Sequence, residues 1–263
     1  MLRVKFAAVV LATLSLASPV LAKSLSVGAN VGNVPWEFQD EKGQIVGFEV
    51  EVAREVAKRM GYDDIEIQNI PFNGLFSAVQ SGRIDAAISS ITITPKRLSS
   101  VSFAQPYYDS DQSLSTLAAS DVKGLSTLKG KTVGVDTGST GDIYATQHQA
   151  ELGISEIRRY EGLAPAMLDL AAKRIDGYIS DIPAVAYYIK DKPQYAVVER
   201  IKTGEQYSMM FAKKSELTAK ASEAISAMKK EGVLSALHEK WFGSKPDAST
   251  STAAVAETPK TTD

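Results

Sequence analysis

The sequence contains no cysteine, only two histidines, no surplus of either charge, and a single apolar run of any length, at its N-terminus. Each absence excludes something. Without cysteine there is no disulfide, so an exported chain of this composition must be held by its core alone. Thiolate metal sites and cysteine nucleophiles are excluded as well. His148 and His238 lie far apart in sequence and neither adjoins a nucleophile elbow, so no spaced metal cluster is expected, and no cofactor. With 29 basic against 31 acidic residues, the net charge of -2 gives no basic face for nucleic acid or for an anionic membrane. The segment Gly130-Lys131-Thr132 ends like a phosphate loop, but it precedes a strand instead of following one, and Leu125 stands where the first glycine belongs.

The N-terminal apolar run reads as an export signal. Arg3 and Lys5 precede Phe6 to Leu16, and small residues follow to Ala22. The run is about half the roughly 20 residues of a spanning helix. Residues 1–22 are therefore expected to be a cleaved signal peptide, leaving Lys23 first. A lipoprotein anchor would need a cysteine there, so a free periplasmic protein is expected. At the other end, residues 246–263 are rich in Ser, Thr, Ala and Pro and lack aromatics. That composition predicts a disordered tail.

Between these ends the chain repeats itself. Ser26-Val27-Gly28-Ala29-Asn30 resembles Thr132-Val133-Gly134-Val135-Asp136, and Arg83-Ile84-Asp85-Ala86-Ala87-Ile88-Ser89-Ser90 resembles Arg174-Ile175-Asp176-Gly177-Tyr178-Ile179-Ser180-Asp181. Both pairs read as strands, and each member of the second pair follows a helical stretch. Helices are expected over Phe48–Met60, Leu217–Lys229 and Val233–Trp241, and strands over Ile65–Ile70 and Tyr195–Ile201. Alternating strands and helices in two similar halves imply an α/β fold of two lobes. The strand-like stretches Gln112–Leu117 and Gln206–Phe211 sit where the chain would cross between them. The expected lobes are 23–110 with 207–245, and 111–206.

In open α/β sheets ligands bind at the carboxyl ends of strands. Asn30, Ser90, Asp136 and Asp181 end the repeated strands. Thr94 and Pro95 suit the start of a helix, which puts Arg97 in its first turn. There a guanidinium is either a solvated surface charge or a clamp for a carboxylate. Asp181, before Ile182-Pro183, is either a helix cap or a partner for an ammonium. Together the two supply opposite charges from opposite halves, as a zwitterion bridging a cleft would require. The loop Asp136-Thr137-Gly138-Ser139-Thr140-Gly141 precedes a helix and could hold a carboxylate on its N–H groups. Phe72, Trp36 and Tyr107 are candidate walls of the cleft or members of the core.

These features resemble the polar amino-acid binding proteins of bacterial ABC importers, the family of the glutamine, histidine and lysine/arginine/ornithine binding proteins. The resemblance runs from about Leu25 to Gly243. It rests on Val34-Pro35-Trp36-Glu37-Phe38, Val46-Gly47-Phe48-Glu49-Val50-Glu51, Ile91-Thr92-Ile93-Thr94-Pro95-Lys96-Arg97, Phe103-Ala104-Gln105-Pro106-Tyr107-Tyr108 and Lys240-Trp241-Phe242-Gly243. It implies a two-lobed type II periplasmic binding fold with mixed, mainly parallel sheets and the ligand between the lobes. Arg97 would hold the ligand α-carboxylate, with Thr92, Ser90 and the Ser139–Thr140 loop beside it. Asp181 would bind the α-ammonium and Phe72 would pack on the aliphatic stem, with Ile91 and Trp36 also near the ligand. Crossovers near Tyr107–Ser113 and Thr203–Tyr207 would form the hinge. Asn30 and Asn33 depart from the acid and the aromatic frequent at those positions, and Asp136 adds a carboxylate.

The resemblance thus implies a monomeric, non-enzymatic binder of a free polar amino acid, with a basic or amide side chain favoured. It would deliver the ligand to the permease and ATPase of an ABC importer. Two rivals share the fold: a periplasmic dehydratase of cyclic carboxylic acids using Glu37 or Asp136 as acid or base, and a presenter of ligand to a sensor receptor.

Overall fold

A computed structural model describes residues 23–262, so the expected signal peptide lies outside the described residues. The chain first builds β1 (Ser24–Ala29), a short ribbon of β2 (Phe38–Gln39) and β3 (Ile45–Val46), α1 (Phe48–Arg59), β4 (Asp64–Asn69), α2 (Phe72–Gln80), β5 (Ala86–Ala87), α3 (Pro95–Leu98) and β6 (Val101–Phe103). It leaves along β7 (Tyr108–Leu117) and builds β8 (Thr132–Asp136), α4 (Thr140–Leu152), β9 (Glu156–Tyr160), α5 (Leu163–Ala171), β10 (Gly177–Asp181) and α6 (Ile182–Ile189). It returns along β11 (Tyr195–Tyr207) to add β12 (Met210–Ala212), α7 (Glu216–Lys230) and α8 (Val233–Phe242).

Two five-stranded sheets result, in the orders β4-β1-β5-β12-β6 and β11-β7-β10-β8-β9. In the first, β1 runs parallel to β4 and β5 while β12 is antiparallel to both its neighbours. In the second, β8 is parallel to β9 and β10 while β7 is antiparallel to β10 and β11.

The internal repeat has a physical basis. A β-carbon on Gly28 would come within 2.4 Å of Ile84, and one on Gly134 within 2.6 Å of Ile175. Each glycine makes room for the isoleucine of the paired segment. In the same way the Asp85 carboxylate accepts from the Ser26 N–H at 2.9 Å, and the Asp176 carboxylate from the Thr132 N–H at 2.8 Å. One packing solution, used twice, sets β1 beside β5 and β8 beside β10 in register. The apolar alternation of β1 places Leu25, Val27 and Ala29 wholly inside, where Val52 and Val56 of α1 also pack. Helix α1 carries Glu49 and Glu51 in its first turn and Lys58 and Arg59 in its last, complementing the helix dipole.

Some expectations change. The strand expected over 83–90 is hydrogen-bonded only at Ala86–Ala87, and the stretch 206–211 is broken at Ser208–Met209 between β11 and β12. The tail expected to be disordered instead lies against the crossover. Ser251 donates from its N–H and its hydroxyl to Asp109, and accepts from Gln206 Nε2 at 2.7 Å. The Thr252 hydroxyl donates to the Tyr107 carbonyl at 3.0 Å, and both residues are buried. Low apolar content does not prevent ordering where hydroxyls meet backbone and carboxylate acceptors that would otherwise face water.

Candidate functional site

Strands β7 and β11 run side by side from Tyr108↔Tyr207 through Ser110↔Glu205, with a register shift between Ile201 and Glu205. They carry the chain between the lobes and form the floor of a cleft. A cavity of about 160 Å³, room for one small molecule, lies above that floor between the two sheets. Asn30, Asn33, Phe72, Ser90, Thr92 and Arg97 line it from the first lobe, and Asp136, Ser139, Thr140 and Asp181 from the second.

Arg97 is positioned from below by its helix cap. Thr94 Oγ1 accepts from the Arg97 N–H at 3.2 Å, and Pro95 opens the helix. The guanidinium is buried, so it is no surface charge. Its Nη1 donates to the Thr92 carbonyl at 2.7 Å, and its Nη2 reaches across the cleft to the Gly138 carbonyl at 3.2 Å. The rings of Phe72 and Phe76 lie 5.5 and 5.1 Å from its central carbon. Burial pulls its pKa down to about 10, against the pull of Glu205 and Asp181, so it remains charged at neutral pH.

Asp181 occupies the N-cap position of α6, yet its side chain makes no capping bond. It accepts from Gln112 Nε2 instead. Burial, then the charge of Glu205, pushes its carboxyl well above the usual range. Such a carboxylate is short of a cation. Glu205 and Gln112, both from the crossover strands, do not line the cavity but hold Thr92, Thr140 and Asp181, which do, and sequence reasoning did not name them. Glu205 Oε2 accepts from the hydroxyls of Thr92 at 2.8 Å and Thr140 at 3.0 Å, and Gln112 Nε2 donates to both Glu205 oxygens at 3.1 and 3.2 Å. Both residues lie inside the stretches read as crossovers, and the only further sign was that a polar residue there must face the cleft or the core.

Behind the first-lobe wall lies a buried acid pair. Ser90 has a left-handed φ of 49°, unusual for a side chain with a β-carbon, and its N–H is held by both oxygens of Glu49 at 2.9 and 3.0 Å. Tyr107 also donates to Glu49. Glu37 accepts from the Ser89 hydroxyl at 2.6 Å, and Asn33 Nδ2 donates to Ser90 Oγ at 3.2 Å. Burial, then the charge of Glu49, raises the Glu37 carboxyl well above its ordinary range, and burial raises Glu49 as well, so the two titrate as a pair.

Two expected residues do not reach the cavity. Trp36 is fully buried among Phe48, Tyr108, Tyr207 and Phe242, and Ile91 is fully buried in the first-lobe core with Val101 and Phe103. Ile91 stands between Ser90 and Thr92, which line the cavity, while its own side chain packs into the core. Tyr107 belongs to the core too, and Glu37 sits behind Ser89 without lining the cavity. Conversely, Glu161, Gly162 and the first turn of α5 through Pro165 form a second-lobe wall that sequence reasoning missed. The repeat could have found it, because Leu163 opens α5 as Phe72 opens α2.

Residues 25–244 match the bacterial extracellular solute-binding proteins, family 3. The chain belongs to that family. Among its relatives, the arginine-binding extracellular protein ArtP of Bacillus subtilis is 35% identical, over 84% of this chain and 86% of that one. The histidine-binding periplasmic protein of Salmonella typhimurium is 30% identical, over 84% and 88%. The arginine-, lysine-, histidine-binding protein ArtJ of Geobacillus stearothermophilus superposes with a TM-score of 0.80 at 35% identity, over 86% of this chain and 98% of that one. The two-lobed α/β architecture of this family 3 protein is thus the one expected from its sequence. The match ends at residue 244, so the segment that packs on the crossover lies beyond the family's shared region.

Proposed function

We propose that this family 3 protein captures one free polar amino acid between its lobes, outside the cytoplasmic membrane, and hands it to an ABC importer. The observation carrying this reading is the pairing of Arg97 from one lobe with Asp181 from the other around a single small cavity. The buried guanidinium takes the α-carboxylate, with the Thr92 and Thr140 region beside it. Asp181, lacking a cation, takes the α-ammonium. The Phe72 ring packs on the aliphatic stem. Arg97 is the one cation lining the cavity among the described residues, against carboxylates at Asp136, Glu161 and Asp181. That balance disfavours an acidic side chain and favours a basic or amide one. The arginine- and histidine-binding names of relatives point the same way.

The protein acts as a monomer and performs no chemistry on its ligand in this reading. An N-terminal signal, cleaved after Ala22, brings it to the periplasm. Closure is driven only by contacts that the open form lacks. Isothermal titration against arginine, lysine, ornithine, histidine, glutamine and glutamate tests the proposal. One or more of the first five should bind near the micromolar range, about -8 kcal/mol, and glutamate should not. No binding by any common amino acid would overturn it.

A further inference from the structure

We infer that Asp136 is the residue that reads a positive charge on the distal end of the ligand, and that it does so from the closing lobe. The inference rests on the amino-acid reading above and narrows it to cationic side chains.

Asp136 ends β8 and lines the cavity. Its Oδ2 accepts from the Tyr178 hydroxyl at 2.7 Å and the Ser180 hydroxyl at 3.4 Å. Its Oδ1 is out of solvent contact and has no hydrogen-bond partner, the Gly162 N–H being the one further backbone donor near the carboxylate. Tyr178 and Ser180 fix the carboxylate in place and leave one oxygen unspent. A buried oxygen without a donor is costly, and the described residues offer no cation to fill the gap. Arg97 is committed elsewhere, to Thr92 and Gly138. Glu161, on the same side of the cavity, adds to the negative potential there. A guanidinium or ammonium on the ligand is the complement of this pair.

The first lobe faces the same space with neutral groups. Asn30 and Asn33 are amides, and Asn33 already donates to Ser90. Asn30 Nδ2 lies 3.9 Å from the β-carbon position of Gly162, the nearest atom to it, so this lobe-to-lobe approach is close where a glycine stands. A ligand resting on the first lobe alone therefore meets amides and the Phe72 ring at its distal end. The carboxylates arrive only when the second lobe closes. A ligand shifts such an equilibrium only through its differential affinity for the two states. A cationic side chain consequently adds to closure, and its neutral analogue does not.

Arginine and citrulline test this, since they differ mainly in the charge of the distal group. The full mature chain should bind arginine at least about tenfold more tightly than citrulline. Asp136→Asn should weaken arginine about 10- to 100-fold, leave citrulline within about threefold, and so remove the discrimination. In stopped-flow binding the loss should appear in the dissociation rate, because the contact forms after encounter. Glu161→Gln, at an exposed position, should narrow the ratio less and guards against a folding defect at Asp136. An unchanged arginine-to-citrulline ratio in Asp136→Asn would overturn the inference while leaving amino-acid capture standing. An effect confined to the association rate would refute reading by the closing lobe. If neither compound nor any other amino acid binds, the underlying functional reading fails instead.

Discussion

Arg97 and Gly138, from different lobes, are joined by a hydrogen bond of 3.2 Å from the guanidinium to the carbonyl. The side chain assigned to the ligand carboxylate is therefore also a latch between the lobes. Nη1 is tied to Thr92 on its own lobe, so the guanidinium enters the cleft with its plane already fixed. Arg97→Ala should cost roughly 2–5 kcal/mol of ligand binding, because it strands a carboxylate in a buried site. Arg97→Lys should recover little, having no fork to serve Thr92, Gly138 and ligand together. Calorimetric titration decides, and parent-like affinity in the alanine variant would remove the carboxylate assignment.

Glu205 gathers Thr92, Thr140 and Gln112 from both lobes onto one carboxylate. Glu205→Ala leaves two hydroxyls and an amide without that acceptor. A loss of about 1–3 kcal/mol in urea unfolding is expected, together with weaker ligand binding. Glu205→Gln, which keeps one acceptor oxygen, should lose less.

The Asp136 carboxyl is pushed up to about 6, by burial first, with Glu161 adding and the Tyr178, Ser180 and Gly162 bonds opposing. A cationic ligand needs the carboxylate, so affinity for arginine should fall as pH drops through 6. Affinity for citrulline should stay nearly flat over the same range. Without ligand the sign for stability is the reverse. A folded-state value above the unfolded one means that the folded form holds the extra proton, so this contribution is lost as pH rises from about 4 through 6. Binding isotherms and unliganded melting curves between pH 5 and 8 check both signs.

Glu37 should behave in the same sense. Its carboxyl, raised by burial and by Glu49, loses its proton only at a cost to the folded state. Stability should therefore decline as pH rises through the raised value. Glu37→Gln keeps an oxygen for Ser89 and should flatten that decline. Urea midpoints as a function of pH measure it, and parallel curves for parent and variant would contradict a raised Glu37 carboxyl.

Removal of residues 245–263 takes away the Ser251 and Thr252 bonds to Asp109, Gln206 and Tyr107. It should lower the melting temperature by roughly 2–6 °C, corresponding to about 1–2 kcal/mol for a chain of this size. An unchanged melting curve would mean that the packed segment adds no stability.

Much was legible in the residues because local rules and the repeat agreed. Gly28 with Ile84, and Gly134 with Ile175, share one packing problem, so similarity in the sequence reported similarity in space. The alternation of β1, the charge order of α1 and the Thr94-Pro95 helix start fixed local structure before any tertiary contact was known. Strand-end chemistry then put Asn30, Ser90, Asp136 and Asp181 at the cleft. What a side chain faces is a different matter, because it depends on which surfaces the fold brings together. Trp36 and Ile91 went to the core, Glu205 and Gln112 to the cleft floor, and a hydroxyl-rich tail to the crossover. The unpaired oxygen of Asp136 belongs to this second kind, since only the surrounding groups decide which of its oxygens has a donor. Sequence set the elements and the family through short-range propensity and repetition, while long-range burial and pairing decided which polar groups were satisfied and which were left to meet a ligand.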